Sequence, residues 1–522
     1  MSTEPALADG VRETLAVDPD EFDARVEAEG EIVKQELRDG SFDNHQSIVG
    51  FEYEFYAVAD GRWSEESRAN EYALMRVPRR LLELMGFEKE LGLHNAEMST
   101  SPQPLSDHGL RAQLAEVRAQ LEAAENTAAV EGMRLVSDGI WTIPPTGETA
   151  RGYLTDSVDV DGVTVAVNMS DAVRYHAMAN AGSGERRGTL LEAPGVSLEA
   201  DTVMPESLIT SIQPHYQVAQ AETLPRHFRY ALRIAGPLLA LGVNSPFFPP
   251  DLYDDDWDGE RVLDEGAAGN RIHVFESVLN ARTDEAKVRF PRDVHDVETA
   301  IDRIVGDETL IPMPEPEGTD RFDDAFASFR TKHGSYWRWV RPVFEGSSRS
   351  SANARIEFRP IAAQPTVRDS IAFQAAFAGL MQSLTQHEHP VIGLDWDTAR
   401  ENFYAAVADG LDADIEWISH DGETTTDTDA VYADLIDHAE AGLRTAGCPE
   451  EEAASWLAPL RWRVANRTTP ASWKRDRVRA RLDGGDDFET AVHETQREYI
   501  DRQSETLVEG GFSAWKDSGE AT

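Results

Sequence analysis

Hydrophobic and polar residues alternate along residues 47–58, whose sequence is SIVGFEYEFYAV. β-Branched and aromatic residues favour a strand, and side chains two residues apart on a strand point to the same face. Glu52 and Glu54 therefore share one face of a predicted strand, and the aromatic residues around them share the other. Because burying unpaired carboxylates is costly, the acidic face is either solvated or occupied by something positive.

Strand and helix patterns alternate from residue 45 to about residue 395, and helical patterns predominate after that. Strands are predicted in RLVSDGIWTIPP, SLITSIQPHYQVAQ and ARIEFRPIAAQ, and helices in SDHGLRAQLAEVRAQLEAAENTAAVEGM, LPRHFRYALRIAGPLLALG and VRDSIAFQAAFAGLMQSLTQ. We expect three parts: a helical N-terminal extension in residues 1–44, an α+β domain in residues 45–395 and a helical C-terminal region in residues 396–522.

The chain is strongly acidic along its whole length. It has 95 Asp and Glu residues against 49 Lys and Arg residues, which gives a net charge of −46. Repulsion of this size destabilises a fold in dilute salt, whereas the screening length falls to about 3 Å in molar salt. The composition therefore indicates a halophilic protein. Since no basic face is evident, nucleic-acid binding is disfavoured.

Several features of the sequence predict a cytoplasmic location. There is no run of about 18 apolar residues, so no membrane span is expected. The N-terminus is acidic and lacks the basic start and apolar stretch of a signal peptide. The one cysteine, Cys448, rules out an internal disulfide, and a lone cysteine outside any motif is more often structural than catalytic.

Three further stretches carry polar residues that could join the acidic pair. In ARIEFRPI, Glu357 and Arg359 share a strand face, and in TSIQPHYQV so do Gln213, His215 and Gln217. In EKELGLHNAEMSTSPQP, two glutamates flank a turn-like segment. The candidate metal ligands are Glu52, Glu54, Glu90, Glu97 and Glu357, with His215 as the one imidazole. Carboxylates with few nitrogen ligands suit Mg²⁺ or Mn²⁺.

Each stretch also has a common structural interpretation. An E-x-E strand face is usually solvated, an E-x-R strand usually forms a cross-strand ion pair, and a lone histidine is more often structural than a ligand. The chain contains no G-x-x-x-x-G-K-[ST] phosphate loop. The segment GSGERRG, residues 182–188, only approximates a dinucleotide fingerprint, and we predict a mobile loop or lid there.

The order and content of several stretches resemble those of the carboxylate–amine ligases, the glutamate–cysteine ligase family with the glutamine-synthetase-like fold. The stretches are GFEYEFYAVADG, AEMSTSPQP, HYQV, LLALGVNSPFF, VRPVF and ARIEFRPIAAQPTVRDSIAF. The resemblance implies an α+β fold in which an antiparallel sheet, like that of glutamine synthetase and the guanido kinases, forms a funnel-like active site covered by helices. Residues 45–395 would then be the catalytic domain.

The resemblance also implies roles for individual residues. It suggests metal ligation by Glu52, Glu54, Glu90, Glu97, His215 and Glu357. Two arginines would be catalytic: Arg359 would contact the transferred phosphoryl group, and Arg341 would bind a substrate carboxylate or phosphate. Substrate binding is implied for Arg271 and Gln217. Two features depart from the family pattern. Gln213 stands where many relatives have a histidine, and no Gly-Thr pair precedes the E-x-R strand. These departures leave the identity of the amine substrate open.

The activity implied by the resemblance is phosphoryl transfer from ATP to a substrate carboxylate, followed by attack of an amine. For the glutamate–cysteine case, the substrates are ATP, glutamate and cysteine, with Mg²⁺ or Mn²⁺ as the metal. Such a reaction needs no protein nucleophile, and no Ser–His–Asp or Cys–His motif is readable. Two alternatives remain: a phosphotransferase that stops at the phosphorylated product, and a non-catalytic relative that senses a nucleotide or an amino acid. The oligomeric state is left open.

Overall fold

An antiparallel sheet of eight strands organises the computed structural model, which describes residues 4–61, 71–181, 188–281, 283–315 and 318–516. Its strands are β1 (Ile48–Ala59), β2 (Glu88–Lys89), β3 (Asn95–Ser99), β4 (Gln103–Pro104), β5 (Met133–Val136), β10 (Ile212–Gln217), β11 (Val340–Glu345) and β12 (Asn353–Phe358). The strand order is β11-β12-β10-β1-β3-β2, and β4 and β5 also pair with β1.

The remaining described strands form three small hairpins. They pair β6 (Ser157–Val160) with β7 (Val163–Ala166), β8 (Thr189–Ala193) with β9 (Val196–Ala200), and β13 (Trp417–Ile418) with β14 (Thr424–Thr425). The hairpin of β13 and β14 lies within the C-terminal region that the pattern predicts as helices and loops.

Helices pack around the sheet and make up most of the C-terminal region. They are α1 (Glu4–Leu15), α2 (Pro19–Arg38), α3 (Arg79–Met85), α4 (Asp107–Val130), α5 (Ala150–Thr155), α6 (Val173–Asn180), α7 (Leu224–Gly242), α8 (Gly259–Glu265), α9 (Asn270–Asn280), α10 (Val297–Val305), α11 (Ala327–His333), α12 (Val367–Gln386), α13 (Trp396–Asp409), α14 (Thr428–Thr445), α15 (Glu450–Asn466), α16 (Pro470–Asp483) and α17 (Phe488–Thr506). The predicted fold class, an α+β fold with an antiparallel sheet covered by helices, is confirmed.

Strand β1 lies inside the sheet because its aromatic residues fill the core. Phe51, Tyr53 and Phe55 are each at most 2% exposed, and the rings of Tyr53 and Phe55 are 4.2 Å apart. Glu52 and Glu54 alternate with them and are only partly buried. The period-two pattern thus places both carboxylates on the face opposite the aromatic core, as the sequence predicts.

Helix α12 connects the sheet to the C-terminal helices. It packs against β10 and, most extensively, against α14. Gly379 and Gly442 allow this close packing, since a Cβ atom on Gly442 would lie 1.8 Å from the carbonyl oxygen of Gly379. The two helices therefore contact each other backbone to backbone.

Buried ion pairs join the C-terminal helices to the α+β part of the chain. Arg463 on α15 donates a hydrogen bond to Asp369 at the start of α12, at 2.8 Å. Lys474 on α16 pairs with Asp138, which follows β5. All four side chains are buried. The division of the chain into three parts, with boundaries after residues 44 and 395, stays a prediction.

Two further sequence predictions concern membrane-spanning helices and a lid. Among the described residues, none of the helices combines the length and the apolar character needed to cross a bilayer. Most of the predicted lid, GSGERRG, lies outside the described residues, which resume at Gly188.

Candidate active site

Acidic side chains of β1 and β3 meet on one face of the sheet. In the antiparallel register, Glu54 lies opposite Glu97, and Glu52 lies between Ser99 on β3 and Gln213 on β10. Residues directly opposite each other on neighbouring strands share a face. Glu54 is held in place by two hydrogen bonds, from the Ser211 amide at 2.6 Å and from Gln213 Nε2 at 2.8 Å.

A second polar row crosses β10, β12 and β11. His215 lies opposite Glu357, and Glu357 lies opposite Arg341. Gly50 of β1 is the other neighbour of His215. A Cβ atom at Gly50 would lie 3.4 Å from the Cβ atom of His215, which is an ordinary van der Waals contact.

Glu52, His215 and Glu357 bring three potential ligand atoms together. Their ligand atoms lie within 4.8 Å of one another. His215 Nε2 is buried, lies 3.5 Å from Glu52 Oε1, and forms no hydrogen bond with any described residue. A buried imidazole nitrogen without a partner, next to two carboxylates, fits a divalent cation. These three residues could therefore hold one metal ion.

Two arginines flank this group. Arg341 Nε donates a hydrogen bond to Glu357 Oε1 at 2.9 Å. Arg359 Nη1 donates to the same oxygen and, at 2.7 Å, to Gln213 Oε1. Burial alone would raise the pKa of Glu357, but the guanidinium groups of Arg341 and Arg359 outweigh it and hold that pKa well below its usual range. Glu357 is thus an anion, with both arginines facing the site.

The other carboxylates experience excess negative charge. Burial and the neighbouring Glu357 raise the pKa of Glu52 to about 8. Burial and repulsion from Glu90 raise the pKa values of Glu54 and Glu97. A divalent cation near these groups would stabilise their ionised forms. Glu54 and Glu97 lie opposite each other on β1 and β3, and metal ligation by these two residues and Glu90 stays a prediction.

Glu206 belongs to this acidic group, although the sequence pattern did not indicate it. It lies in the short 3₁₀ helix Met204–Leu208. Burial, together with the nearby charges of Glu90 and Glu54, raises its pKa to about 8. A single glutamate in an irregular segment gives no periodic signal, so only the folded chain reveals its position.

Arg271 and Gln217 lie at the edge of the group. Arg271, on α9, is buried, and burial lowers its pKa to about 10. Its Nη1 donates to the carbonyl oxygen of Arg359 at 2.9 Å, so it supports the end of β12. Gln217 lies two residues beyond His215 on the same face of β10 and opposite Arg355. The substrate-binding roles of both residues stay predictions.

The predicted site residues are therefore brought together on and beside one sheet face. The group of Glu52, His215 and Glu357 suits a divalent cation, and the neighbouring Arg341 and Arg359 suit phosphate or carboxylate groups of a substrate. Such an arrangement can bind a nucleoside triphosphate with its metal ions and stabilise charge on a transferred phosphoryl group.

Comparison with solved structures finds remote likenesses. The glutamate–cysteine ligase of Francisella tularensis in complex with AMP matches at 11% identity and a TM-score of 0.49, over 91% of this chain and 92% of that one. A bifunctional glutathione synthetase from Pasteurella multocida matches at 11% identity and a TM-score of 0.47, over 91% of this chain but 55% of its own. The ligase PafA, in complex with the prokaryotic ubiquitin-like protein Pup, matches at 11% identity and a TM-score of 0.37, over 84% of this chain and 69% of that one.

The family assignment rests on a separate match. No curated protein matches the sequence. The family profile described as glutamate-cysteine ligase family 2 (GCS2) matches residues 48–506, which include every residue of the site described above. This range covers most of the 522 residues. The chain therefore belongs to glutamate-cysteine ligase family 2.

Proposed function

We propose that this protein is an ATP-dependent carboxylate–amine ligase that joins the γ-carboxylate of glutamate to the amine of cysteine, forming γ-glutamylcysteine. The family supports the general reaction. The observation that carries the proposal is the arrangement of Glu52, His215 and Glu357 beside Arg341 and Arg359. It combines cation ligands with two guanidinium groups that can face phosphate.

The proposed reaction has two steps. First, a carboxylate oxygen of glutamate attacks the γ-phosphorus of ATP, ADP leaves, and γ-glutamyl phosphate forms. Second, the cysteine nitrogen attacks the acyl carbon, inorganic phosphate leaves, and the nitrogen loses a proton as the amide forms. Divalent cations, when bound, would neutralise charge on the nucleotide phosphates.

The chain's own residues supply positioning and charge in this scheme. Arg359 is held by Glu357 and Gln213, so its guanidinium is fixed before substrate arrives. A preorganised cation of this kind stabilises the negative charge of a phosphoryl group in transit. Arg341, anchored to Glu357 and to the carbonyl oxygen of His333, is placed to bind a substrate carboxylate or phosphate.

The direct test is ADP release by the purified chain with ATP, Mg²⁺ and glutamate in about 2–3 M KCl, a concentration chosen to screen the acidic surface. We expect ADP release that depends on cysteine, with γ-glutamylcysteine detected by mass spectrometry. ADP release with another amine would support the ligase reaction but identify a different acceptor. Failure with every amino acid pair would overturn the proposal.

The same assay separates two other functions. ADP release with a phosphorylated product and no amide would identify a phosphotransferase. Binding of ATP without turnover would identify a non-catalytic relative, a possibility raised by Gln213, which stands where many relatives have a histidine. Gln213 is already engaged with Glu54 and Arg359, so it has a positioning role that does not need an imidazole. We therefore favour the ligase.

A further inference from the structure

A cluster of histidines surrounds Asp434, outside the site described above. His389 follows α12, His420 lies in the turn between β13 and β14, and His438 lies one turn after Asp434 on α14. The rings of His389 and His438 are 4.4 Å apart, and those of His420 and His438 are 5.2 Å apart. Three separate elements of the chain therefore deliver imidazole groups to one place.

The nitrogen atoms of these rings are close enough to act together. Ligand atoms of His389, His420 and His438 lie within 4.8 Å of one another, and His438 Nε2 lies 3.9 Å from Asp434 Oδ1. In a tetrahedral zinc site, neighbouring ligand atoms are about 3.4 Å apart, which follows from Zn–N distances of about 2.0–2.1 Å. The 3.9 Å between His438 Nε2 and Asp434 Oδ1 is about half an ångström more than this spacing, and rotation of the exposed His420 side chain would bring in the third ligand.

Hydrogen bonds hold the carboxylate of Asp434 in place. His389 Nδ1 accepts the amide hydrogen of Val391 at 3.2 Å, so its proton is on Nε2. That Nε2 donates to Asp434 Oδ2 at 3.0 Å, and Trp417 Nε1 donates to the same oxygen at 2.7 Å. Among the described residues, Oδ1 accepts one hydrogen bond, from the backbone amide of His420 at 3.2 Å, so it keeps a lone pair for a further partner.

The ring of His438 is oriented in the same way. Its Nδ1 lies 3.0 Å from the hydroxyl oxygen of Ser383, which leaves Nε2 directed towards Asp434. Outer hydrogen bonds that fix a ligating imidazole and a ligating carboxylate are a regular feature of protein metal sites. His420 is exposed and free to turn towards them.

We infer that His420, His438 and Asp434 bind a divalent transition-metal ion of the zinc class, with His389 holding the carboxylate from outside. Two imidazole nitrogens and one carboxylate oxygen suit Zn²⁺, and water can fill the fourth position because His420 lies at the surface. Imidazole ligands discriminate against Mg²⁺, the cation that suits the carboxylates of the sheet. This zinc site would fasten the hairpin of β13 and β14 to α14.

The test measures zinc bound to the full chain by equilibrium dialysis in excess Mg²⁺, which occupies the carboxylate groups. His420→Ala is the main variant, since an exposed side chain can be removed without disturbing the core. His295→Ala, which removes another exposed histidine, is the matched control. His215→Asn shows how much zinc is bound by the group of Glu52, His215 and Glu357 on the sheet. We expect His420→Ala to weaken zinc binding at least 10-fold, and both other variants to keep it.

A second measurement follows the melting temperature with and without zinc. Zinc should raise it for the wild-type chain and for His295→Ala, and much less for His420→Ala, because a ligand that binds the folded state stabilises it. Equal zinc binding by His420→Ala and the wild type would overturn the inference. So would a wild-type chain that binds no zinc beyond what is lost in His215→Asn.

Discussion

Arg341 lies directly opposite Glu357 across strands β11 and β12, and its Nε donates a hydrogen bond to Glu357 Oε1 at 2.9 Å. The same oxygen accepts from Arg359. One carboxylate therefore holds two arginines on the side of the sheet where His215 and Glu52 converge. Glu357 acts both as a potential metal ligand and as the anchor of the cationic part of the site.

Replacing Glu357 by Gln should lower kcat at least about 100-fold, because the site loses a cation ligand and the anion that fixes Arg359. The amide oxygen can still accept from both arginines, so the fold should persist with a lower melting temperature. Steady-state ADP release and circular dichroism check these two expectations. Glu199→Gln, an exposed substitution on β9, serves as the control. Full activity of Glu357→Gln would contradict the assignment of the metal site.

Glu206 provides a second test of the acidic group. Its carboxylate lies near Glu54 and Glu90, whose charges contribute to its raised pKa. Glu206→Gln should raise the Mg²⁺ concentration required for half-maximal activity about 10-fold, since one negative charge near the cations is lost. A Mg²⁺ titration of ADP release measures this. An unchanged Mg²⁺ requirement, equal to that of Glu199→Gln, would remove Glu206 from the site.

Acid should destabilise the protein through its buried histidines, of which His94 is the clearest. His94 has no exposed surface, and its ring nitrogens lie 3.0 Å from the Tyr153 hydroxyl and 2.9 Å from the Ser207 carbonyl oxygen. Burial lowers its pKa to about 4, below the value of about 6.5 for an unfolded chain. As pH falls from 6.5 to 4, the unfolded state takes up a proton that the folded state does not, so stability falls.

The size of this effect follows from the pKa difference. Each pKa unit corresponds to about 1.4 kcal/mol, so His94 alone can account for up to roughly 3 kcal/mol of stability lost on acidification. Denaturant unfolding at several pH values between 7 and 4 measures the loss. In His94→Gln the free energy of unfolding should depend less steeply on pH. An equally steep dependence in that variant would show that His94 is not responsible.

The acidic composition predicts a strong response to salt. With a net charge of −46, the folded chain repels itself in dilute buffer, and screening at molar ionic strength removes most of that repulsion. We expect unfolding or marked loss of melting temperature in dilute buffer, and protection in molar KCl. Differential scanning calorimetry across a KCl series measures this. A melting temperature that does not change with salt would refute the halophilic interpretation.

The helix crossing at Gly442 offers a test of packing. A Cβ atom there would lie 1.8 Å from the Gly379 carbonyl oxygen, so Gly442→Ala must push α12 and α14 apart. Overpacking of this kind costs roughly 1–3 kcal/mol. At Gly393 a Cβ atom meets nothing within 4 Å, so Gly393→Ala is the matched control. Chemical denaturation of both variants should show a loss of stability for Gly442→Ala alone.

Local patterns predicted the parts of the site that lie on regular strands. Glu52 and Glu54 share a face because a strand repeats every two residues, and the same rule places Glu357 and Arg359 together. This information is contained in a few neighbouring residues. The family resemblance then supplied the antiparallel sheet and its cover of helices, which no local pattern contains.

Other features depend on contacts between distant parts of the chain. His215 pairs with Glu357 only because β10 and β12 are neighbours in the sheet, although 142 residues separate them. Glu206 reaches the acidic group from an irregular segment, and His420 reaches His438 through a hairpin that the pattern did not predict. Their positions are set by tertiary packing, which a single sequence does not display.

The buried pairs Arg463–Asp369 and Lys474–Asp138 affect how the chain melts. Each joins a C-terminal helix to the part of the chain that builds the sheet, and separating the two would leave buried charges without partners. The C-terminal helices and the sheet should therefore unfold cooperatively, in one calorimetric transition, and a chain ending at residue 395 should not reach the native state. We therefore expect the smallest unit that can fold to be larger than the part that carries the candidate active site.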